Sequence, residues 1–283
     1  MEGDPRNVLL MSNQALEVWD FERAEQLYVV DPSDSSAQWI MSEWGPETGL
    51  LATAAADGFV RLWDGESGEL IRELGPFTAH NDDSQILDLL FSPNEDSIYA
   101  ACKDARIREW DVETGELLLE KPSHTMSSLK LVGQDQLLGN ALYNGKMVLF
   151  DRSSELENSV QLNLGTKPAS WVDVSPDKRH VLISNTLSPA ALLDMSRYKA
   201  GADLKERVQV GSFSSSLEPS EATESTFEIT EFSPDGEHLM AVHEGVVWIW
   251  PADLLSAAEE MSPVEIDYFG GLPSPSLTEA HDK

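Results

Sequence analysis

The chain of 283 residues carries 50 acidic and 19 basic side chains, which gives a formal net charge of −31. Such a surface repels the phosphates of nucleic acids and of anionic membranes, and no apolar run reaches the roughly 18 residues of a spanning helix, so we expect no nucleic acid and no membrane as partner. The acidic start of the chain, Met1 to Arg6, lacks the basic and apolar regions of a signal peptide, which favours a cytoplasmic protein.

Acidic residues are spread along the whole chain, and lysines are few. This distribution favours adaptation to a salty cytoplasm, where counterions screen the self-repulsion. The alternative is an acidic surface that docks on a basic partner. The single cysteine, Cys102, excludes an intrachain disulfide, and its place in a predicted buried strand indicates an inert core thiol.

Taken in chain order, six segments end at a Trp–Asp pair or at a residue pair in its place. The six endings, roughly 40 to 57 residues apart, are Trp19–Asp20, Trp63–Asp64, Trp110–Asp111, Phe150–Asp151, Leu193–Asp194 and Trp250–Pro251. A repeat period in this range is typical of propeller blades. The two best copies, residues 51–64 and 98–111, also share an Asp six residues before the Trp–Asp pair.

A second marker lies 19, 19 and 18 residues before the third, fifth and sixth of these endings. It reads Phe-Ser-Pro-Asn or its close variants at 91–94, 174–177 and 232–235. Proline presets φ for a tight turn, and Asp, Asn and Gly bond locally or accept positive φ, so the marker predicts a turn between strands. Hairpin turns are predicted at Asp57–Gly58, Asp104–Ala105, Asn144–Gly145 and Glu244–Gly245.

With both markers in register, residues 8 to 251 resemble the WD-repeat β-propellers. The resemblance implies an all-β fold, a β-propeller of four-stranded antiparallel blades, with about six blades. We expect the propeller to span residues 1–269, followed by a disordered C-terminal tail at 270–283. Residues 8–12 and 15–20 are interpreted as the third and fourth strands of a blade that lacks its first half. Pro263 to Phe269 is the one later strand candidate, so two alternatives are open: a strained six-bladed ring, or part of a larger propeller.

The resemblance also implies a structural tetrad, in which a His, a Ser or Thr, the turn Asp and the Trp satisfy one another's hydrogen bonds inside a blade. Carried over by position, its members here are His80, Asp104, Trp110, Thr53, Asp57, Trp63, His124 and Asn144. No blade has the whole set. We therefore interpret the histidines as structural.

Catalytic and metal sites are not expected. The six histidines show no ligand spacing among themselves, and neither a Gly-x-Ser-x-Gly nor a phosphate-binding loop motif is present, so no cofactor is predicted. Two tryptophans, Trp44 and Trp171, lie outside the repeat endings and are candidates for exposure on a binding face.

The resulting prediction is a non-enzymatic scaffold that binds protein partners. By analogy with the fold, partners dock where the inner strands begin, on a rim formed by Ser35, Gln85, Thr125, Pro168 and Thr226. The polar insertion at 212–225 and the acidic loop at 31–36 are further contact candidates, or solvated linkers. The alternatives are a lactonase- or hydrolase-type propeller enzyme with a metal at the channel mouth, and a sensor module from a larger protein.

Overall fold

The computed structural model describes residues 7–11, 16–20, 22–30, 39–76, 85–133, 135–142, 147–154, 156, 159–162, 171–185, 188–197, 209–213, 229–243 and 246–251. Within these ranges the chain has 22 strands and two one-turn 3-10 helices, Arg152–Ser154 and Met195–Arg197. The described ranges contain no helix with the length and apolar character needed to cross a bilayer. The predicted all-β fold class is confirmed.

The strands form six antiparallel sheets, numbered here in chain order. Sheet 1 contains β1 (Asn7–Met11), β2 (Leu16–Asp20) and β3 (Glu25–Val30). Sheet 2 contains β4 (Trp39–Gly45), β5 (Leu50–Ala55), β6 (Val60–Asp64) and β7 (Leu70–Leu74). Sheet 3 contains β8 (Ile86–Phe91), β9 (Ser97–Cys102), β10 (Arg106–Asp111) and β11 (Leu117–Pro122).

The later sheets follow the same plan. Sheet 4 contains β12 (Met126–Val132), β13 (Gln136–Ala141), β14 (Met147–Asp151) and β15 (Ser159–Leu162). Sheet 5 contains β16 (Trp171–Val174), β17 (His180–Asn185), β18 (Ser188–Asp194) and β19 (Gln209–Phe213). Sheet 6 contains β20 (Ile229–Phe232), β21 (His238–His243) and β22 (Val246–Pro251). Every strand pairs with its neighbours in the chain, which is the blade architecture of a β-propeller, and the six sheets match the predicted count of about six blades.

Each predicted repeat ending closes a strand. These strands are β2, β6, β10, β14, β18 and β22, and they end at Asp20, Asp64, Asp111, Asp151, Asp194 and Pro251. In sheets 2 to 5 the closing strand is the third of four. The prediction for the first blade is wrong by one strand, because the Trp19–Asp20 strand is also a third strand by this rule. Strands β1 and β2 are therefore the second and third strands of this blade, and β3 is the fourth.

We call the first strand of a sheet its inner strand and the fourth its outer strand. Outer strands β7 and β11 expose most of their side chains, whereas the second strands β5 and β9 are buried almost throughout. Both faces of β5 and β9 are covered, which explains their nearly continuous apolar sequences.

The chain divides into two compact units, Met1–Leu129 and Lys130–Lys283. In the first unit, sheets 2 and 3 share an apolar core that includes Cys102, and sheets 1 and 2 share a second core that includes Trp63. In the second unit, sheets 4 and 5 share a core that includes Leu149 and Val181. The predicted domain boundaries, 1–269 and 270–283, stay a prediction.

The Ser-Pro-Asp marker forms the turn that joins the inner strand to the second strand. Its serine hydroxyl oxygen accepts a hydrogen bond from the backbone N–H five residues later, in the pairs Ser92–Ser97 (3.0 Å), Ser175–His180 (2.8 Å) and Ser233–His238 (2.9 Å). The serine therefore closes the turn and fixes where the second strand begins.

In each marker turn, the third residue after the serine has a left-handed backbone conformation. Its φ is +55° at Glu95, +60° at Lys178 and +72° at Gly236, so only the last turn has the residue that this conformation favours. Glu95 serves a further purpose, because its carboxylate accepts hydrogen bonds from Thr48 N (2.7 Å) and Thr48 Oγ1 (2.6 Å) in sheet 2. This turn therefore ties sheet 3 to sheet 2.

Several predictions fall on other parts of the chain. The strand candidate at 263–269, the tail, the acidic loop at 31–36, most of the insertion at 212–225 and the hairpins at 144–145 and 244–245 lie outside the described residues.

Candidate functional site

The hairpin turns that join the second and third strands of sheets 2 and 3 carry buried ion pairs. In sheet 3, Arg108 donates from Nη1 to Asp104 Oδ1 (3.0 Å) and from Nη2 to Asp104 Oδ2 (2.7 Å). In sheet 2, Arg61 Nη2 donates to Asp57 Oδ2 (2.6 Å). The Asp side chain is 1% exposed in the first pair and 24% in the second. Both turns are thus held from inside the sheet by an arginine of the third strand.

Each arginine also bonds a glutamate of the outer strand. Arg61 Nε donates to Glu73 Oε1 (2.8 Å), and Arg108 Nε donates to Glu120 Oε2 (2.9 Å). Burial alone lowers the pKa of both guanidinium groups, but the hydrogen bonds and charge interactions with their partners, those of the turn aspartates first, together outweigh it and raise that pKa. The arginines therefore remain charged, and each pairs with one carboxylate on the turn and another on the outer strand.

These two arginines were missed by the sequence predictions, although a signal existed. An Arg lies four residues after the turn Asp in both repeat copies, Asp57 with Arg61 and Asp104 with Arg108. A buried arginine at a repeated position requires a carboxylate at hydrogen-bond distance. The turn Asp at constant spacing was the available partner.

The tetrad-like residues are only partly brought together. Trp63 Nε1 donates to Thr53 Oγ1 at 2.8 Å in the buried interior of sheet 2. Asp57 and Asp104 face the arginines described above, and Trp110 is buried in the core of sheets 2 and 3. His124 is half-buried directly after β11. His80 and Asn144 lie outside the described residues, so the tetrad assignment as a whole stays a prediction.

Two of the five predicted rim positions are described. Gln85 directly precedes β8 and Thr125 directly precedes β12, and both side chains are half-buried. The Gln85 carbonyl oxygen accepts a hydrogen bond from Lys103 N (2.9 Å), beside the Asp104 turn. Ser35, Pro168 and Thr226 lie outside the described residues.

The two tryptophans outside the repeat endings have different surroundings. Trp44 is half-buried and packs against the core shared by sheets 1 and 2. Trp171 is the first residue of β16, and 39% of its side chain is exposed. Exposure, which was considered for both, is therefore pronounced only at Trp171, on an inner strand.

The second residue of the Trp–Asp pair caps the turn that leads to the outer strand. Asp64 Oδ1 accepts from Ser67 N (2.7 Å) and Ser67 Oγ (2.8 Å), and Asp111 Oδ1 accepts from Thr114 N (2.6 Å) and Thr114 Oγ1 (2.8 Å). These hydrogen bonds, led by those from the backbone, hold the pKa of both carboxyl groups below the usual range. The aspartate is thus a turn-capping residue.

Among the residues that the structure describes, one group of side chains has the separation of metal ligands. Asp235, Glu237 and His238 each place a ligand atom within 4.8 Å of the other two, and all three residues are exposed. Spacings between histidines alone do not predict this group, which contains a single histidine. Asp235 Oδ1 already accepts from Glu237 N (2.9 Å), as expected for a carboxylate that caps the marker turn.

The buried thiol has an environment that suppresses its reactivity. Cys102 is fully buried and free, and burial raises the pKa of its thiol to about 12. Because the thiolate is the nucleophile, such a thiol is inert at neutral pH.

A comparison with protein families gives one match, to the family described as WD domain, G-beta repeat, over residues 32–64 and 69–111. The second match ends at the Trp110–Asp111 pair, and the first ends at Trp63–Asp64. A search of curated proteins found no match. These two segments match the WD-repeat family, and the resemblance predicted from the sequence is confirmed to that extent.

Proposed function

We propose that this chain is a non-enzymatic scaffold that binds a protein partner where its inner strands begin, and that it works in a salt-adapted cytoplasm. WD repeats generally mediate protein–protein interactions and generally act as non-enzymatic scaffolds. The described residues that this proposal involves are Gln85 and Thr125 in the first unit and, taken separately, Trp171 in the second.

The proposal rests on the burial of the carboxylates in the hairpin turns and on their hydrogen bonds to arginine. General acid–base catalysis and metal binding both need a carboxylate that can reach a substrate or an ion. Asp104 is instead buried against Arg108 and bonded through both oxygens. The acidic groups at these turns therefore support the fold and give the loop ends a rigid base on which a partner can dock.

Trp171 is the anchor that this proposal assigns to the second unit. Tryptophan is enriched among the interface residues that contribute most to binding free energy, because it buries a large area at a small entropic cost. Trp63 and Trp110 are buried in cores, whereas 39% of Trp171 is exposed to solvent.

Affinity measurements on one tryptophan variant and one glutamine variant test the proposal. A partner recovered with the wild-type chain is purified, and its dissociation constant is measured for Trp171→Ala and Gln85→Ala, with thermal melting of each variant. We expect Trp171→Ala to weaken binding by about tenfold or more at an unchanged melting temperature. Trp44→Ala is the matched control and is expected to cost about 3 kcal/mol of stability, because Trp44 packs in a core. Wild-type affinity in both Trp171→Ala and Gln85→Ala would contradict the proposed surface.

A further inference from the structure

The outer strands of sheets 1, 2 and 3 share a β-bulge at one register position. The pairing shifts opposite Val18/Trp19, Leu62/Trp63 and Glu109/Trp110, at the end of each third strand. One outer-strand residue is left without a partner at each shift, and these residues are Leu27, Ile71 and Leu118. A bulge at a sheet edge interrupts the row of free backbone groups and so disfavours pairing with another strand.

All three bulge residues are large, aliphatic and exposed. The exposed fraction is 43% for Leu27, 49% for Ile71 and 53% for Leu118. Isolated exposed apolar residues are ordinary, but the same residue class at the same register in three successive sheets is a patterned surface. A partner at this edge therefore contacts the side chains and not the interrupted row of backbone groups.

An exposed glutamate lies two residues before each bulge residue. These are Glu25, Glu69 and Glu116, and none of them forms an ion pair with a cation among the described residues. Acids further along the same strands differ, since Glu73 and Glu120 are bound by Arg61 and Arg108. In sheets 2 and 3 the outer strand therefore has one carboxylate bound by an arginine and another facing solvent beside the bulge, whereas the outer strand of sheet 1 has only the solvent-facing Glu25.

The residue after the bulge joins the outer strands of sheets 1 and 2 to the next sheet. Tyr28 Oη donates to the carbonyl oxygen of Gly65 in sheet 2 (2.6 Å). Arg72 donates to the carbonyl oxygens of Thr114 (3.1 Å) and Glu113 (2.6 Å) in sheet 3. Since the turns contacted lead directly into β7 and β11, the three acidic–apolar pairs lie on consecutive, directly bonded sheets of the first unit, and we call this set of residues the strip.

We propose that this strip, formed by Glu25, Leu27, Glu69, Ile71, Glu116 and Leu118, is a second docking surface, and that its occupant is a cationic segment of a partner protein that also carries aliphatic side chains. The three carboxylates attract lysine or arginine, and the bulge residues bury their exposed area against the aliphatic side chains. A net charge of −31 disfavours a second copy of this chain as the occupant. The strip lies on the outer strands, away from the inner-strand starts of the proposed partner surface.

The test measures the affinity of a synthetic peptide of alternating leucine and lysine, with a peptide of alternating leucine and glutamate as the negative comparison. Fluorescence anisotropy at moderate KCl gives the dissociation constant for the wild type, for E69Q/E116Q and for I71S/L118S. We expect each double variant to bind the cationic peptide about tenfold more weakly, the glutamate peptide not to bind, and molar KCl to weaken binding. Trp171→Ala is expected to bind the cationic peptide as the wild type does, which separates this strip from the proposed partner surface.

Matched controls remove the same charge and the same apolar area elsewhere. E47Q/E237Q changes the charge by the same amount at exposed positions outside the strip, and L142S/I249S removes two other exposed aliphatic side chains. Thermal melting checks that every variant is folded. Equal losses in the strip and control variants, or no binding by the wild type, would overturn the proposal. So would a concentration-dependent dimer that disappears in I71S/L118S, because the occupant would then be a second copy of the chain.

Discussion

Arg108 binds both carboxylate oxygens of Asp104 inside sheet 3, while Arg61 reaches only one oxygen of Asp57 inside sheet 2. The other Asp57 oxygen accepts from Phe59 N (3.0 Å) in its own turn. The same repeat position thus carries a fully buried bidentate ion pair in one sheet and a single, partly exposed bond in the next.

This difference predicts unequal costs for the same substitution. Asp104→Asn leaves the buried Arg108 charge without its main partner and should lower the free energy of unfolding by about 3 to 5 kcal/mol. Asp57→Asn should cost less, since the Asp57 side chain is 24% exposed. Urea unfolding of both variants measures the difference. An equal or smaller loss for Asp104→Asn would contradict the assignment of Asp104 as a structural group.

A second prediction concerns the left-handed residues of the marker turns. Lys178→Gly should raise the free energy of unfolding by about 0.5 to 1 kcal/mol, because glycine accepts the φ of +60° without steric strain and the Lys178 backbone oxygen still bonds Gly133 N. Glu95→Gly at φ +55° is the matched variant and should instead be destabilising, since it removes the carboxylate that binds Thr48. Chemical denaturation measures the free energy of unfolding of both variants. A higher value than the wild type in both would show that the hydrogen bonds of Glu95 do not stabilise the fold.

The third prediction is a pH dependence at Asp194, which is buried in sheet 5. Burial raises the pKa of this carboxyl group, but hydrogen bonds from Arg179 and Ser196 outweigh it and lower the pKa to about 2. Because this pKa is lower in the folded than in the unfolded chain, the stabilisation is complete above the ordinary value of 3.8 and is lost as the pH falls towards 2.

Asp194→Asn isolates this contribution. At neutral pH the variant should be less stable than the wild type by about 2 kcal/mol, since hydrogen bonds to a charged group are lost. The difference in unfolding free energy between the wild type and the variant should become smaller as the pH is lowered from about 5 to about 2.5. Equilibrium unfolding at several pH values measures this difference. A difference that stays constant over this pH range would exclude Asp194 as the titrating group.

Much of the fold could be predicted because its signals are local. The Trp–Asp endings and the Ser-Pro-Asp turns depend on residues close in the chain, and they located the third strands and the first turns of the sheets. The first blade was misassigned because the two-strand interpretation of residues 8 to 20 overlooked β3, whose sequence from Glu25 to Val30 alternates only weakly.

The site was harder to predict because its features depend on other sheets. Trp44 and Trp171 are equivalent in sequence terms, yet one packs on a neighbouring core and the other is exposed. The bulges at Leu27, Ile71 and Leu118 depend on the pairing register, which a sequence without the partner strand does not specify. The buried arginines were missed as well, but they could have been predicted, since Asp-x-x-x-Arg recurs in both repeats.

The net charge leads to the fourth prediction. Salt should stabilise the fold, because the screening length falls from about 10 Å at 0.1 M to about 3 Å at 1 M ionic strength and the repulsion among acidic side chains falls with it. The melting temperature should therefore rise from low to molar KCl. Sucrose at the same osmolality is the uncharged control, and a rise in KCl no larger than that in sucrose would contradict adaptation to a salty cytoplasm.

The proposed function requires that this chain binds proteins on a framework of structural carboxylates and does not use a metal to act on small molecules. Thermal unfolding with Zn²⁺, Ca²⁺ and Mg²⁺, at an ionic strength held constant with KCl, tests this requirement. We predict the same melting temperature with and without each cation. A rise of more than about 5 °C at micromolar cation that is abolished by Asp235→Asn would contradict the claim, since it would demonstrate a specific metal site.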